Sequence, residues 1–411
     1  MDIGKLFERR VSIMSEVMLN DICELIVDCP HTTAVDEGHG YPLVRTPNIG
    51  KGRLVYNGMH RVSEEVYNKR NFRAVPQEDD LIFAREATAG NVALIQKGEK
   101  VCLGQRTVLL RPNKALVNPT FLTYFLLAPK QQYNLLCTAN GATVAHVNMS
   151  TIRNLKLELP HLQIQNKIGI ILSRYDSLIE NYQKQIKLLE ESAQRLYKEW
   201  FIDLRFPGHE NTKIVDGVPE GWEKKKLIEL VNVQYGYAFD GKLFNSNGEG
   251  MPILRIRNIP DGRTSDFTTE EASVDYVVHN GDIVVGMDGI FHINTWSGGD
   301  AYLVQRACSF RPIEEVIKGF IFQAIKEPIK YFEQTLVGST VAHLGKKHID
   351  SIEILVPNRK VLFKFLQDIF NQRQNMLYQI RHLTEARDRL LPKLMSGEIK
   401  VKECLWKEQI T

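Results

Sequence analysis

Hydrogen-bonding side chains recur in the same order in the two halves of this chain. The Gln-Arg pair at residues 105–106 returns at 305–306, and the segment GATVAH at 141–146 returns as GSTVAH at 338–343. Arginine, glutamine and asparagine are the side chains that contact base edges and phosphates in nucleic acids. If the two halves bind different sequences, the residues they share would hold the fold or phosphates rather than distinguish bases.

The candidate nucleic-acid contacts are the polar residues at or near such repeated positions. In the first half they are Arg45, Asn48, Lys51, Arg53, Arg85, Gln105, Arg106, His146 and Asn148. In the second half they are Arg255, Arg257, Asn258, Gln305, Arg306, His343, Lys346, Lys347 and His348. The last three form a short basic run, for which a phosphate contact and a solvated surface turn are equally expected.

No catalytic or cofactor motif accompanies these hydrogen-bond donors. Residues 236–242 match a phosphate-binding loop as far as Lys242, but Leu243 stands where a Ser or Thr must hold Mg²⁺. The sequence has neither the Asn-Pro-Pro-aromatic tetrapeptide of amino-methyltransferases nor the Gly-x-Gly-x-x-Gly dinucleotide pattern. Its histidines and cysteines lack metal-ligand spacing. We therefore expect no catalytic residues, no metal site and no cofactor bound by this chain.

The bulk composition is that of an ordinary soluble protein with more than one core. The 411 residues are 43% apolar and 25% charged, and their net charge is only +3. So weak a charge implies that a nucleic-acid partner would meet locally concentrated basic residues or rely on other subunits for phosphate contacts. No uninterrupted apolar run reaches the ~18 residues of a membrane span. The N-terminus also lacks a signal-peptide pattern, so we expect a cytoplasmic protein without a membrane partner.

Each half of the chain begins with a domain of mixed structure. Short β-type runs alternate with Gly, Asn and Asp residues at 81–84, 92–95, 107–111, 253–256 and 282–286. Helical stretches follow at 119–127 and 318–332. This alternation predicts an α+β domain, present twice.

Each half ends in a long helix. Apolar residues recur in steps of three and four from Ile164 to Trp200, and again from Leu362 to Leu390. A helix of about five heptads is about 55 Å long, and an apolar seam of that length needs a partner. Because a whole domain separates the two helices along the chain, they could pair antiparallel as a coiled coil.

These patterns together predict the architecture. We expect an α+β protein with two similar globular domains at residues 1–159 and 207–357. Two long antiparallel helices at 160–206 and 358–400 would join them in a pseudo-twofold internal repeat. The helices would act as a ruler that separates two similar binding domains.

Four segments carry a resemblance to one family. Residues 194–201 (QRLYKEWF) and 389–399 (RLLPKLMSGEI) resemble the ends of the two conserved helices in the DNA specificity (S) subunits of type I restriction–modification systems. Residues 218–222 (VPEGW) resemble the entry to the second target-recognition domain of these subunits. Residues 28–31 (DCPH) resemble a segment near the start of one class of their recognition domains.

The resemblance implies a non-catalytic subunit that binds double-stranded DNA. Each target-recognition domain would read one half of a split, asymmetric site through the major groove, and the paired helices would fix the spacer. The helices would also dock two methyltransferase subunits, which use S-adenosylmethionine to methylate adenine N6. It stays open whether two restriction subunits, motor–nucleases that use ATP and Mg²⁺, join as well. The candidate subunit-interface residues are Tyr197, Trp200, Phe201, Leu390 and Leu394, for which a core position is the alternative.

Two other functions compete with this one. A scaffold whose two domains bind proteins would suit the helices and the weak net charge, but not the family motifs. A self-contained methyltransferase or nuclease is opposed by the missing motifs. Sequence-specific binding to a duplex would separate the first function from the scaffold, and S-adenosylmethionine binding by this chain alone would favour the enzyme.

Overall fold

The computed structural model describes residues 15–137, 146–336 and 342–401. The repeated segments at 141–145 and 338–341, which the sequence singled out, lie outside the described residues. The chain divides into two compact units: the first unit comprises Met1–Leu178 and Thr384–Thr411, and the second unit comprises Ile179–Leu383.

Nine helices of the α type lie in the described ranges. In chain order they are α1 Glu64–Arg70, α2 Pro119–Leu127, α3 Pro129–Leu136, α4 Met149–Arg153, α5 Leu162–Tyr197, α6 Lys318–Ala324, α7 Lys326–Thr335, α8 Lys346–Asp350 and α9 Val361–Met395. The two long helices α5 and α9 cross from one unit to the other, so each unit contains one end of each.

The first unit is built on a four-stranded antiparallel sheet. Its strands are β1 Ser15–Met18, β2 Cys23–Asp28, β3 Tyr41–Val44, β4 His60–Val62, β5 Leu81–Ala84, β6 Val92–Leu94, β7 Cys102–Leu103, β8 Thr107–Pro112 and β9 Lys156–Leu159. The main sheet has the order β2-β8-β5-β6. A smaller sheet has the order β4-β3-β7, in which β3 and β7 are parallel, and β1 pairs with β9.

Strand β5 is covered on both faces, which explains its unbroken apolar sequence Leu-Ile-Phe-Ala. Side chains alternate along a strand, so neighbouring residues enter different cores. Leu81 and Phe83 pack in the core that includes α2 and the start of α5, whereas Ile82 and Ala84 pack in a second core with the smaller sheet. A shift of one residue would exchange the two sets, and two-sided burial therefore fixes the register.

The second unit has the same sheet order. Its strands are β10 Ile214–Val215, β11 Val218–Pro219, β12 Trp222–Lys226, β13 Val231–Tyr235, β14 Phe244–Asn245, β15 Met251–Leu254, β16 Phe267–Thr268, β17 Val277–Val278, β18 Ile283–Gly286, β19 Ile293–Thr295, β20 Ala301–Leu303, β21 Ala307–Pro312 and β22 Glu353–Pro357. The main sheet is β13-β21-β18-β19, and a five-stranded sheet contains the parallel pair β15 and β20. Strand β18 is buried on both faces, with Ile283 and Val285 in one core and Val284 in the other.

The two long helices run antiparallel within each unit. In the first unit, Ile168 and Leu172 near the start of α5 share a core with Leu394 near the end of α9. In the second unit, Ala193 near the end of α5 shares a core with Leu366 near the start of α9. Ile168 and Ala193 of the predicted apolar seam lie in these cores, whereas Leu178 and Phe365 of the predicted seams are exposed.

The stretch predicted as helical at 318–332 forms two helices, α6 and α7, joined at Ile325. Pro328 lies in the first turn of α7, where its missing N–H group is tolerated. Its ring would clash with the carbonyl of Ala324 in a continuous helix, which explains why the predicted helical stretch is divided into two helices. Within the described ranges, every helix is too short or too polar to cross a membrane.

Two-sided burial of β5 can be tested by truncation on each face. We expect Ile82→Ala to destabilise the first unit by about 2–5 kcal/mol and Phe83→Ala by about 3–5 kcal/mol, because each leaves a cavity. The matched control Phe72→Ala removes a ring that is mostly exposed and should change the free energy of unfolding by less than about 0.5 kcal/mol. Urea unfolding followed by fluorescence measures all three, and a small effect at Ile82 would contradict a second covered face.

Candidate nucleic-acid interface

In the first unit, a carboxylate directly after β5 binds two of the candidate residues. Glu86 Oε2 lies 2.9 Å from Arg106 Nε, and Glu86 Oε1 lies 2.7 Å from His146 Nδ1. We call Glu86, Arg106 and His146 the first carboxylate cluster. It joins the turn after β5, the turn before β8 and the segment before α4, so three separate parts of the chain must fold to form it.

The second unit has the same arrangement. Asp288 follows β18, and its Oδ2 atom lies 2.8 Å from Arg306 Nη1. Its Oδ1 atom lies 2.5 Å from His343 Nδ1. We call Asp288, Arg306 and His343 the second carboxylate cluster. The repeated Arg and His residues of the sequence therefore meet around a carboxylate in both units.

Both cluster arginines have a left-handed backbone, with φ of 67° at Arg106 and 73° at Arg306. Their carbonyl oxygens accept hydrogen bonds from the backbone N–H groups of Arg85 at 3.0 Å and Met287 at 2.8 Å, respectively. A side chain on left-handed backbone costs roughly 1–2 kcal/mol, so this conformation persists only where its surroundings determine it. The turn places both arginine side chains at the surface, where they are 56% and 59% exposed.

This geometry suits the binding of an anion. Each carboxylate holds its arginine in one orientation, and the guanidinium donors that it does not use meet no other acceptor among the described residues. A guanidinium fixed in this way loses little side-chain freedom when it binds a phosphate. Within the described residues, no three His, Cys, Asp or Glu side chains form a metal-binding group.

The first cluster is braced by a second, buried arginine. Arg85 Nη1 donates to Asp28 Oδ2 at 2.8 Å, and Arg85 Nε donates to the Val147 carbonyl at 3.0 Å. Arg85 Nη2 lies 2.9 Å from His146 Nε2. Because arginine only donates, His146 accepts at Nε2 and donates from Nδ1 to Glu86. Both ring nitrogens of His146 are thus used inside the protein.

The second cluster lacks this brace. Met287 occupies the place of Arg85, since its N–H and carbonyl groups make the equivalent backbone bonds to Arg306 and Leu344. His343 is 50% exposed and binds Asp288 through Nδ1 alone among the described residues. The two histidines that the sequence treated alike therefore differ, because only His343 has a ring nitrogen open to a ligand.

The repeated asparagines hold the fold. Asn48 is buried, accepts from the Arg45 backbone N–H at 3.2 Å and donates to the Val55 carbonyl at 3.1 Å. Asn258 accepts from the Arg255 backbone N–H at 2.9 Å. Each closes the 3₁₀ turn that follows a strand of a parallel pair, β3 in the first unit or β15 in the second. The guanidinium of Arg255 lies 5.4 Å from the Phe244 ring centre, and that of Arg45 donates to a loop carbonyl.

The two glutamines differ in their contacts. Gln105 donates to the His31 carbonyl at 3.1 Å and accepts from Thr33 Oγ1 at 3.2 Å, which ties the segment after β2 to the first cluster's turn. Gln305 is exposed, and its backbone N–H donates to the Tyr237 carbonyl at 2.8 Å. Gln105 therefore has a fold-holding role that Gln305 lacks.

The remaining candidates of the first unit and Arg257 lie apart from the cluster contacts. Lys51 is exposed, Arg53 is partly buried and donates to a neighbouring carbonyl, and Asn148 precedes α4 without a side-chain cap bond. Arg257 is exposed and paired through both Nε and Nη2 to Asp266, at 3.2 and 2.6 Å.

The basic run of the second unit lies next to the second cluster. Lys346 and Lys347 are exposed in the first turn of α8, directly after Gly345. His348 accepts from the Gly345 N–H at 3.0 Å. Burial lowers the pKa of His348, and Lys347 and His343 lower it further by charge repulsion. The run thus adds two exposed cations shortly after the cluster histidine His343 in the chain.

The candidate subunit-interface residues are mostly core. Phe201 is buried and stacks on Tyr197, with ring centres 5.4 Å apart. Leu394 is buried and Leu390 is partly buried in the core of the first unit. Trp200 is partly buried, as are Tyr197 and Leu390.

Glu86 and Asp288 were missed by the sequence analysis because only hydrogen-bond donors were sought. A search for an acidic residue at a similar distance before each repeated Gln-Arg pair would have found both. The sequence pattern alone does not suggest that an exposed arginine needs a carboxylate to hold it in place, because this requirement follows from the structure.

Two α+β domains on one chain, each with an exposed arginine paired to a carboxylate, define a protein with an internally repeated surface site. The family model described as "Type I restriction modification DNA specificity domain" matches the chain twice, at residues 13–191 and 219–381. The chain therefore belongs to the type I restriction–modification DNA specificity family, and the resemblance found in the sequence is confirmed.

Relatives match over nearly the full length. The chain is 26% identical to the type I restriction enzyme MjaIX specificity subunit and 28% identical to the MjaVIII specificity subunit, both from Methanocaldococcus jannaschii. Each match covers 94% of this chain and 93% of the relative. The fold is similar to that of the crystal structure of the S subunit from M. genitalium, with a TM-score of 0.53, 16% identity, and coverage of 96% and 98% of the two chains.

Two substitutions of Arg306 can distinguish the cost of its left-handed backbone from the contribution of its ion pair to stability. Arg306→Gly and Arg306→Ala both lose the contact with Asp288, but only glycine relieves the strain. We expect the glycine variant to be more stable than the alanine variant by about 1 kcal/mol in urea unfolding. At Arg257, whose backbone is not left-handed, the order should reverse by about 0.5–1 kcal/mol. Equal stability of the two Arg306 variants would contradict the idea that the turn is strained and is held in place by its surroundings.

Proposed function

We propose that this chain is the non-catalytic subunit that gives a type I restriction–modification complex its DNA sequence specificity. Each domain reads one half of a bipartite duplex site. The observation that carries the proposal is the duplicated carboxylate cluster, which presents an exposed arginine in the same way in both units. The double match of the family model supports the assignment to DNA.

The proposed architecture is a pseudo-twofold repeat. Recognition domains at 1–159 and 207–357 are joined by helices at 160–206 and 358–400, which pair as an antiparallel coiled coil. The common sheet order and the parallel pairs β3–β7 and β15–β20 support the repeat. The antiparallel contacts of α5 and α9 inside each unit support the coiled coil.

The two kinds of DNA contact are divided between shared and unshared residues. Phosphates are the same at every sequence, so Arg106 and Arg306, which the units share, position the duplex. Bases are read by side chains that differ between the domains, since two unlike half-sites need unlike contacts. Lys346 and Lys347 stand where the first unit has Met149 and Ser150, counting from the cluster histidines, and so exemplify such a difference.

The partners follow from the family. Two methyltransferase subunits that carry S-adenosylmethionine dock on the helices, and restriction subunits that use ATP and Mg²⁺ join where they are present. An apolar surface in the second unit supports a docking role: Trp200 packs edge-on against Phe365, with ring centres 5.4 Å apart, and Phe365, Val361 and Ile202 are exposed. Partner subunits would also supply phosphate contacts that a net charge of +3 does not.

The DNA-specificity function is tested with the methyltransferase complex. Mapping N6-methyladenine in a host that carries this chain and its partner gene should reveal one bipartite motif. The purified complex should bind that duplex roughly a thousandfold or more tighter than a duplex scrambled in both half-sites. Binding that ignores sequence, together with the absence of a motif, would leave the protein-binding scaffold as the better function.

The phosphate role of the cluster arginines is tested separately. We expect Arg106→Gln and Arg306→Gln each to weaken cognate and scrambled duplexes by a similar factor and to reduce the salt slope by about one. Lys114→Gln is the control, because Lys114 is also exposed and ion-paired, to Asp79, but lies outside the clusters. Loss of discrimination at one base pair only would identify the arginine as a base reader instead.

A further inference from the structure

Inside each unit, a well-aligned ion pair joins α5 to α9. In the first unit, Asp176 Oδ1 lies 2.6 Å from Arg387 Nη1, and the Asp176 side chain is only 4% exposed. In the second unit, Glu190 Oε1 lies 2.6 Å from Arg373 Nε, and Arg373 is buried. Asp176, Arg387 and Arg373 are largely removed from water and are favourable only when each has its partner, whereas the Glu190 side chain is 39% exposed.

In the first unit, neighbouring residues also interact with the two charged side chains of the ion pair. The Tyr124 hydroxyl donates to Asp176, and burial followed by the charge of Asp176 raises the pKa of Tyr124. Burial alone would lower the pKa of Arg387, but Asp176 and Asp388 keep it above its ordinary value. Arg387 is therefore a permanent cation whose main partner is on the other helix.

In the second unit, neighbouring side chains likewise form hydrogen bonds with the arginine of the ion pair. Arg373 Nη1 donates to Thr295 Oγ1 at 2.5 Å, and Arg373 Nη2 donates to Asn294 Oδ1 at 2.9 Å. These contacts fix the guanidinium between strand β19 and the helix pair, with Glu190 as its counter-ion. A change of the residue opposite Arg373 would leave a buried charge that the strand cannot neutralise.

In these two ion pairs, the charges are distributed unequally between the helices. Both acids lie on α5 and both arginines lie on α9, and the spacing is two heptads in each case. In a symmetric arrangement each helix would carry one acid and one base. The observed arrangement makes α5 and α9 complementary to each other and not to themselves.

We propose that these ion pairs make the helix pairing selective, so that α5 accepts α9 and rejects a second copy of α5. The chain thereby keeps its own two helices together and does not exchange them with another copy of this chain. The proposal concerns the pairing of the chain with itself and does not depend on DNA binding.

The alternative pairings can be followed residue by residue. If a second α5 is laid on α9 by matching the prolines that precede them, Pro160 and Pro357, its Asp176 and Glu190 replace Arg373 and Arg387. Two acids then face two acids. Shifting the second α5 by three residues places Ile179 and Ala193 there instead, which leaves both acids of the first α5 without a partner. A buried polar residue in a helix seam selects partner and register by the same penalty.

The test uses two reversed full-length chains with different affinity tags. The acidic chain carries Arg373→Glu and Arg387→Glu, and the basic chain carries Asp176→Arg and Glu190→Arg. Within each of these chains, α5 and α9 carry like charges at the paired positions. Between the two chains, the charges on α5 of one are opposite to those on α9 of the other. Co-expression should give a one-to-one dimer, captured through one tag at least tenfold above the level for two tagged copies of the unaltered chain.

The matched control makes equal charge changes at exposed positions on α9, on α5 and just after the end of α5. It combines Lys364→Glu and Arg389→Glu in one chain with Glu191→Arg and Glu199→Arg in the other. Capture should stay at the level of the unaltered chain. Soluble reversed chains that fail to exceed this control would overturn the proposal.

A third reversed chain decides the case in which neither the acidic chain nor the basic chain is recovered. It carries all four reversals, so each ion pair is restored with its polarity inverted. Recovery as a monomer by light scattering, with a thermal transition far above that of either half-reversed chain, supports the proposal. Loss of this chain as well would overturn it, because complementary charge would then not suffice to pair the helices.

Discussion

The structure depends on the burial of one strand on both faces in each unit. Strands β5 and β18 have no polar side to offer to solvent, so each must lie between two layers of the fold. This requirement fixes the register of the neighbouring strands and the point at which the chain emerges from the core. The first residues beyond that point include Glu86 and Asp288, and the geometry of the surface arginines follows from where these carboxylates stand.

The two clusters show how a duplicated arrangement can diverge without losing its common part. Arginine and carboxylate are kept in both units, together with the left-handed turn that presents them. The residue behind them is Arg85 in one unit and Met287 in the other, and this difference closes His146 while it leaves His343 accessible. The exposed arginine and its carboxylate can thus be retained while the adjoining surface changes.

Much of the local structure was predictable from the sequence. The runs at 81–84 and 119–127 are a strand and a helix with those bounds, because an apolar run and a proline at the first helical position are strong local signals. The candidate residues were harder to rank. Asn48 holds a turn and Arg85 is buried, and neither fact is visible in the chemistry of the side chain alone. The carboxylates and the ion pairs of α5 and α9 depend on residues distant in sequence, so composition and periodicity could not reveal them.

Each carboxylate cluster takes all of its members from one unit. Within each domain, the exposed cluster arginine is therefore paired with a carboxylate of the same domain. If recombination replaced one domain by another, the new domain would bring both its arginine and the carboxylate that pairs with it. The remaining domain would keep its own ion pair intact. The chain can acquire a new recognition domain as a balanced cassette, while the domain at its other end keeps the charges that hold its own arginine.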